Sequence, residues 1–201
     1  MATSLAQSPG YRHAEYLLIL NPHEDLRQRI SNLKKEVATK FQVFSGTYSK
    51  PNIALVRFTN WEMMEEKIVN NLKVTAMSLP PFKVHLKDFG SFPTHTIFFD
   101  VQSKLPIQSL VRELRASRRL MRSPEHEPFF FSEPNIPLAR NLSSEHYDQM
   151  WKEMSHRHFT ASFIADSMLL LKRREGEKGY QIVQRFEFMN LPVAVRQGEL
   201  F

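Results

Sequence analysis

A nine-residue segment that occurs twice constrains this chain more than any other feature. Ser49-Lys50-Pro51-Asn52-Ile53-Ala54-Leu55-Val56-Arg57 returns 83 residues later as Ser132-Glu133-Pro134-Asn135-Ile136-Pro137-Leu138-Ala139-Arg140, with six of nine positions identical. Each copy follows a loop pattern and precedes a helical one, so the copies hold equivalent places in two halves of the chain. Self-similarity of this kind points to a duplicated lobe. Chance similarity between two short, proline-led strands is the competing explanation.

Strand periodicity says what each copy presents. Ile53 and Leu55 share one face and Asn52 and Ala54 the other, and the second copy behaves likewise with Ile136 and Leu138 opposite Asn135 and Pro137. Two lobes packed through their apolar faces would bring the two asparagines together in a cleft. By the same parity Arg57 and Arg140 fall on the core side, which suits strand ends reaching solvent better than a cleft floor.

The remaining pattern mixes strands and helices. Tyr16 to Leu20 is a short apolar run ended by Asn21-Pro22 and reads as a buried strand. Leu26, Ile30, Leu33, Val37 and Phe41 recur at helical spacing from Glu24 to Phe41, with Lys34, Lys35 and Glu36 on a solvated face. A turn near Ser45-Gly46 leads to a strand over Asn52 to Phe58 and a helix over Trp61 to Leu72. Phe82 to Leu86 and His95 to Val101 read as a hairpin. A helix follows from Leu105 to Met121, and Ser143 is a candidate N-cap for another ending at Met154. Phe159 to Lys172 and Tyr180 to Phe188 read as two long strands around the glycine-containing turn Glu175 to Gly179. The fold class expected is α+β.

Composition excludes several chemistries. With no cysteine among 201 residues, there is no thiolate nucleophile and no cysteine-ligated metal. Neither a metal nor another cofactor is expected. A reducing cytoplasm is the natural compartment, and no apolar run approaches the length of a membrane span. The formal charge of +6 favours polyanionic partners modestly.

At the two repeats the chain resembles the two-histidine (2H) phosphoesterase superfamily, which includes 2′-5′ RNA ligases and cyclic nucleotide phosphodiesterases. Its paired motifs are often written P-H-I-T-L and P-H-I-T-I-A-R; here they read Pro51-Asn52-Ile53-Ala54-Leu55 and Pro134-Asn135-Ile136-Pro137-Leu138-Ala139-Arg140. The resemblance runs from about Glu15 to Pro192, through Asn21-Pro22-His23, His95-Thr96-Ile97 and Met168-Leu169-Leu170-Leu171-Lys172. The last segments are similar to bacterial proteins of the 2′-5′ RNA ligase family. It implies two pseudo-symmetric lobes of mostly antiparallel sheet, with outer helices and a central cleft. The expected organisation is a flexible N-terminus over residues 1–13, one bilobal domain over 14–192 and a tail over 193–201.

The resemblance also implies a site in which one imidazole removes a proton from the attacking hydroxyl and the other protonates the leaving oxygen, while threonine hydroxyls hold the phosphate. Imidazole titrates near neutral pH, and an amide does not. Asn52 and Asn135 can donate hydrogen bonds to phosphate oxygens, but general acid–base help of ~10²–10⁴-fold per group is lost. Ala54 and Pro137 remove the hydroxyls, and Pro137 also removes a backbone donor, which is awkward within a central strand. All four catalytic positions are therefore altered. The expectation is a pseudoenzyme whose former site binds RNA ends or a nucleotide phosphate through Asn52 and Asn135, with a protein partner as the remaining possibility.

The literal H-x-T at His158-Phe159-Thr160 supports the rival expectation, a weakly active phosphodiesterase or RNA end-processing enzyme using His158 and Thr160. It lies outside the repeat and lacks a second histidine motif. His156 and His158 have strand metal-site spacing without a third ligand, and His23 and His85 read as turn or surface residues. Arg115, Arg118, Arg119 and Arg122 suit phosphate geometrically, although a solvated helix face is the commoner explanation. Phe129-Phe130-Phe131 reads as core.

Overall fold

The alternation expected at the N-terminus is realised in β1 (His13–Leu20), where Ala14, Tyr16, Leu18 and Leu20 are buried. The computed structural model describes residues 12–44 and 49–192. The Ser45-Gly46 turn, residues 1–11 and residues 193–201 lie outside the described residues. α1 (Glu24–Phe41) has the bounds that its apolar spacing predicts. His23 is its N-cap: the ring Nδ1 accepts the Leu26 N–H at 3.3 Å, and Glu24 and Asp25 sit in the first turn, where the helix dipole favours negative charge.

After β2 (Ile53–Trp61) comes a single 3₁₀ turn at Glu62–Met64 and then α2 (Glu65–Ser78), which buries Ile68, Leu72 and Ala76. β3 (Phe82–Phe92) and β4 (Thr96–Val101) form the expected antiparallel hairpin. The expected helix from Leu105 to Met121 is instead α3 (Lys104–Leu114), a 3₁₀ turn at Arg115–Ser117 and the short α4 (Arg118–Met121). Next come β5 (Phe129–Phe130), β6 (Asn135–Arg140) and α5 (Ser144–Met154), whose N-cap Ser143 accepts the His146 N–H at 3.3 Å. β7 (Thr160–Ala165), β8 (Ser167–Arg174) and β9 (Gln181–Glu187) complete the fold.

The strands build two antiparallel sheets, ordered β5-β2-β1-β8-β9 and β6-β4-β3-β7. Buried apolar residues of both sheets and the helices form one continuous core, so the class is α+β as the sequence predicts. The first repeat lies on β2 of the larger sheet and the second on β6 of the smaller. The single long strand expected over Phe159 to Lys172 does not exist. It breaks at Asp166, β7 pairing in one sheet and β8 in the other. Buried positions are odd-numbered before the break (Phe163, Ala165) and even-numbered after it (Met168, Leu170), a phase change masked because Phe163 to Ala165 and Met168 to Leu171 are apolar at odd and even positions alike. No helix among the described residues is long and apolar enough to cross a membrane.

Candidate functional site

Equivalent irregularities in β2 and β6 decide which side chains face the cleft. Along β2, Ala54 pairs with Ile19 and Val56 with Leu18, leaving Leu55 without a partner on β1. Along β6, Pro137 pairs with Phe98 and Ala139 with Ile97, leaving Leu138 unpaired on β4. Leu55 and Leu138 are the same position of the two repeat copies. An extra residue in a ladder shifts the alternation by one, so side chains beyond it change face.

Arg57 therefore pairs with Leu17 on the face that Ala54 shares, and Arg140 lines a cleft together with Ala54 and Asn135. Simple alternation puts both arginines on the core side, and the bulges overturn that expectation. Pro137 is buried beside the second bulge on β6, which is an edge strand of its sheet rather than a central one. Edges and bulges are where the missing N–H is tolerated. The first copy bulges without a proline, so proline alone does not cause the irregularity.

The cleft has a volume of about 370 Å³. Ala54 of β2 and Asn135 and Arg140 of β6 line it, with Thr96 and an aromatic rim of Phe92, Phe129 and Phe131. Asn52 is half-buried immediately before β2, two positions from Ala54, and is not among the lining residues. Asn52 Nδ2 donates to the Lys50 carbonyl at 2.9 Å, and Asn135 Nδ2 donates to the Glu133 carbonyl at 2.9 Å. Phe129 is 55% exposed and packs edge-on against Phe131, with the Arg57 guanidinium 6.0 Å from its ring centre. The expectation of a core role does not hold for Phe129, because β5 is a two-residue edge strand that turns this ring outward.

The electrostatics of this region are one-sided. Desolvation, and then the positive charge of Arg57, lower the pKa of Arg140. Behind them Lys34 is buried, contrary to its expected solvated place, and its Nζ donates to the Ser49 carbonyl at 2.8 Å and to Ser49 Oγ at 2.9 Å. Burial, followed by the charge of Arg140, lowers its pKa to about 8. Among the described residues none of these three cations forms an ion pair with a carboxylate. Glu133, the carboxylate at the cleft, is 3.7 Å from Lys104. Arg140 lines the cleft and Arg57 does not, but an unneutralised guanidinium in the lining with a second positive charge close by favours a bound anion.

The rival histidine lies elsewhere. His158 precedes β7, at the edge of the smaller sheet opposite β6, with its side chain 91% exposed and Nδ1 3.3 Å from Asp88 Oδ1. Thr160 opens the same edge strand. Neither reaches the cleft. The Phe159 backbone N–H, then His158, holds the Asp88 carboxyl below its ordinary range, which gives His158 a structural contact there. His95 is closer to the site: its Nδ1 lies 2.9 Å from the Pro93 carbonyl and its ring packs on cleft-lining Phe92.

A family model described as the 2′-5′ RNA ligase superfamily matches residues 22–177. The chain belongs to this superfamily. Its fold is that of 2H phosphoesterases: the structure matches Escherichia coli LigT in apo form with a TM-score of 0.63 at 15% identity, covering 88% of this chain and 98% of that one. LigT complexed with 3′-AMP matches with a TM-score of 0.60 at 14% identity over 88% and 98% of the two chains. TT0787 of Thermus thermophilus matches with a TM-score of 0.59 at 16% identity over 87% and 98%. No curated protein matches the chain in sequence. Within the superfamily's fold, the two repeat copies are the strands that carry the cleft.

Proposed function

We propose that this 2′-5′ RNA ligase superfamily protein binds a phosphate-bearing nucleotide or RNA end in the cleft and does not turn it over. The observation that carries this reading is Arg140 in the cleft lining with Arg57, from the other repeat copy, on the Ala54 face and near enough for its charge to act on Arg140, neither of them paired with a carboxylate among the described residues. Guanidinium groups match phosphate geometry and stay charged at all physiological pH values. Asn135 adds an amide donor, and the aromatic rim gives a base an apolar surface. Structures of LigT with 3′-AMP, phosphate, ATP and NADP⁺ are in keeping with such ligands.

The absence of turnover follows from proton chemistry. Neither Asn52 nor Asn135 can relay a proton, and Ala54 and Pro137 offer no hydroxyl. His158 and Thr160 are too far round the sheet to substitute, which leaves the weakly active alternative without a paired proton carrier. The sequence has no cysteine, and a reducing cytoplasm is the compartment proposed.

Calorimetric titration with 2′,3′-cyclic nucleotides, 3′-AMP and inorganic phosphate, with hydrolysis followed in parallel, tests the reading. Saturable binding that weakens at least tenfold in Arg57→Gln/Arg140→Gln, with no product formed, is the expected result. Turnover abolished by His158→Ala, or binding indifferent to both arginines, would overturn it.

A further inference from the structure

The segment from Arg112 to Arg122 holds five arginines, and Glu113 is the only carboxylate between Lys104 and Arg122. The structure sorts these arginines into two groups. Arg118 and Arg122 share Glu127, at 3.1 and 2.6 Å, which offsets half of their combined charge and holds both side chains. Arg112, Arg115 and Arg119 are exposed, and among the described residues none of them is paired with a carboxylate. Gln108 and Arg112 lie one turn apart on α3, Arg115 opens the 3₁₀ turn that follows, and Arg119 lies on α4, so the three arginines come at successive turns of the chain.

This row begins at the cleft. Gln108 Nε2 donates to the carbonyl of Ser132, a cleft-lining residue, at 3.1 Å. Arg115 lies over the Phe130 ring, 4.9 Å from its centre, while Arg57 lies over the adjacent Phe129. Successive residues of a strand point to opposite faces, so the two arginines flank β5 on its two sides, Arg57 on the side of cleft-lining Phe129 and Arg115 on the other. β5 is an edge strand, and among the described residues no further strand pairs beyond it. From Gln108 to Arg119 the segment, part α-helix and part 3₁₀ turn, reaches at most about 18 Å, a span of a few nucleotides rather than one.

We infer that Arg112, Arg115 and Arg119 form a track for the phosphate backbone of a single-stranded RNA whose end occupies the cleft. The inference rests on the cleft reading given above and extends it from a mononucleotide to a polynucleotide. Strand phosphates leave the cleft over the Phe129–Phe131 rim and meet the three guanidinium groups in turn. Such contacts are indifferent to base identity and weaken with salt. Glu127 holds the Arg118 and Arg122 side chains and leaves the other three guanidinium groups as the ones open to a phosphate.

The test is fluorescence anisotropy with labelled 3′-phosphorylated RNAs of one, two, four and six nucleotides over a range of salt concentrations. Affinity of the full chain is expected to rise from one to about four nucleotides, with a salt slope of about −0.7 for each phosphate engaged. Arg112→Gln/Arg115→Gln/Arg119→Gln should weaken tetranucleotide binding roughly tenfold or more, reduce the salt slope by about 2 and leave mononucleotide affinity unchanged. The lysine triple variant should keep most of the affinity, and Arg118→Gln/Arg122→Gln should change little. Mononucleotide binding with no gain on lengthening overturns the track and leaves the cleft reading standing. Track-dependent tetranucleotide binding that ignores Arg57→Gln/Arg140→Gln supports the track and overturns the cleft reading. Binding of neither RNA overturns both.

Discussion

Asn52 and Asn135 make the same hydrogen bond: each side-chain amide donates to the carbonyl two residues upstream, at 2.9 Å in both cases. An imidazole at either position could place Nδ1–H on that carbonyl and present Nε2 to a ligand, so the scaffold retains the anchor while the proton carrier is gone. Asn52→His, Ala54→Thr, Asn135→His and Pro137→Thr together are expected to create measurable hydrolysis of 2′,3′-cyclic nucleotides. Each single histidine variant should fall short of the quadruple variant by ~10²-fold or more, because each imidazole supplies one proton transfer. Product formation by chromatography decides it, and an inert, folded quadruple variant would show that the cleft is no longer built for the reaction.

Lys34 sets an alkaline dependence of stability. Burial and the charge of Arg140 take its pKa from 10.5 down to about 8. Between those values the unfolded chain carries a proton that the folded chain lacks, so stability rises with pH across that window. Below pH 8 the folded protein holds a desolvated ammonium at a cost. Denaturant midpoints at pH 7.5 and 10 should show the native chain gaining on Lys34→Met as pH rises; parallel profiles would count against the assignment.

Glu62 acts on the acid side. Burial raises its pKa, but hydrogen bonds from Arg174 (2.7 Å) and Lys172 (3.2 Å) outweigh that and hold it below the usual 4.5. Its contribution is complete above pH 4.5 and is lost as pH falls through the depressed folded value. Glu62→Gln is expected to cost about 1 kcal/mol at neutral pH, because Lys172 and Arg174 lose their shared carboxylate but keep Glu65 at 2.7 Å and Glu177 at 3.5 Å. It should also flatten the acid limb of a melting-temperature profile.

Gly90 makes room for a ring. A Cβ there would come within 2.4 Å of Phe98 Cε2, and Phe98 in turn packs 4.8 Å from Phe92 at the cleft rim. Gly90→Ala should destabilise the fold by about 1–3 kcal/mol through overpacking. It should also weaken cleft ligands by shifting Phe92, whereas a variant as stable and as competent as the native chain would mean that Phe98 relaxes freely.

Much of this was legible in the sequence because local rules agreed with the fold. The bounds of α1 follow from its apolar spacing, Ser143 caps α5 as its residue type suggests, and the repeat locates the two strands that carry the cleft. What escaped were features in which one residue breaks a period. Unpaired Leu55 and Leu138 reverse the faces of Arg57 and Arg140, and Asp166 divides what reads as one strand into two. A bulge inserts no unusual residue type, so alternation counted along the chain runs straight through it. Phe129 was misplaced for a different reason. Hydrophobicity reports a preference for burial, but an edge strand of two residues has too little sheet around it to satisfy that preference.

The break at Asp166 couples the two sheets more tightly than a loop would. The chain leaves one sheet and enters the other within one residue, and that residue is fastened on both sides: its carbonyl accepts the Phe188 N–H at 2.8 Å and its carboxylate meets Arg185 at 3.2 Å. The two sheets, whose other strands line the slot, are thus hinged away from it at a single fastened residue. A junction so short gives the sheets little slack, and an anion held between them spends correspondingly little of its attraction on ordering the fold.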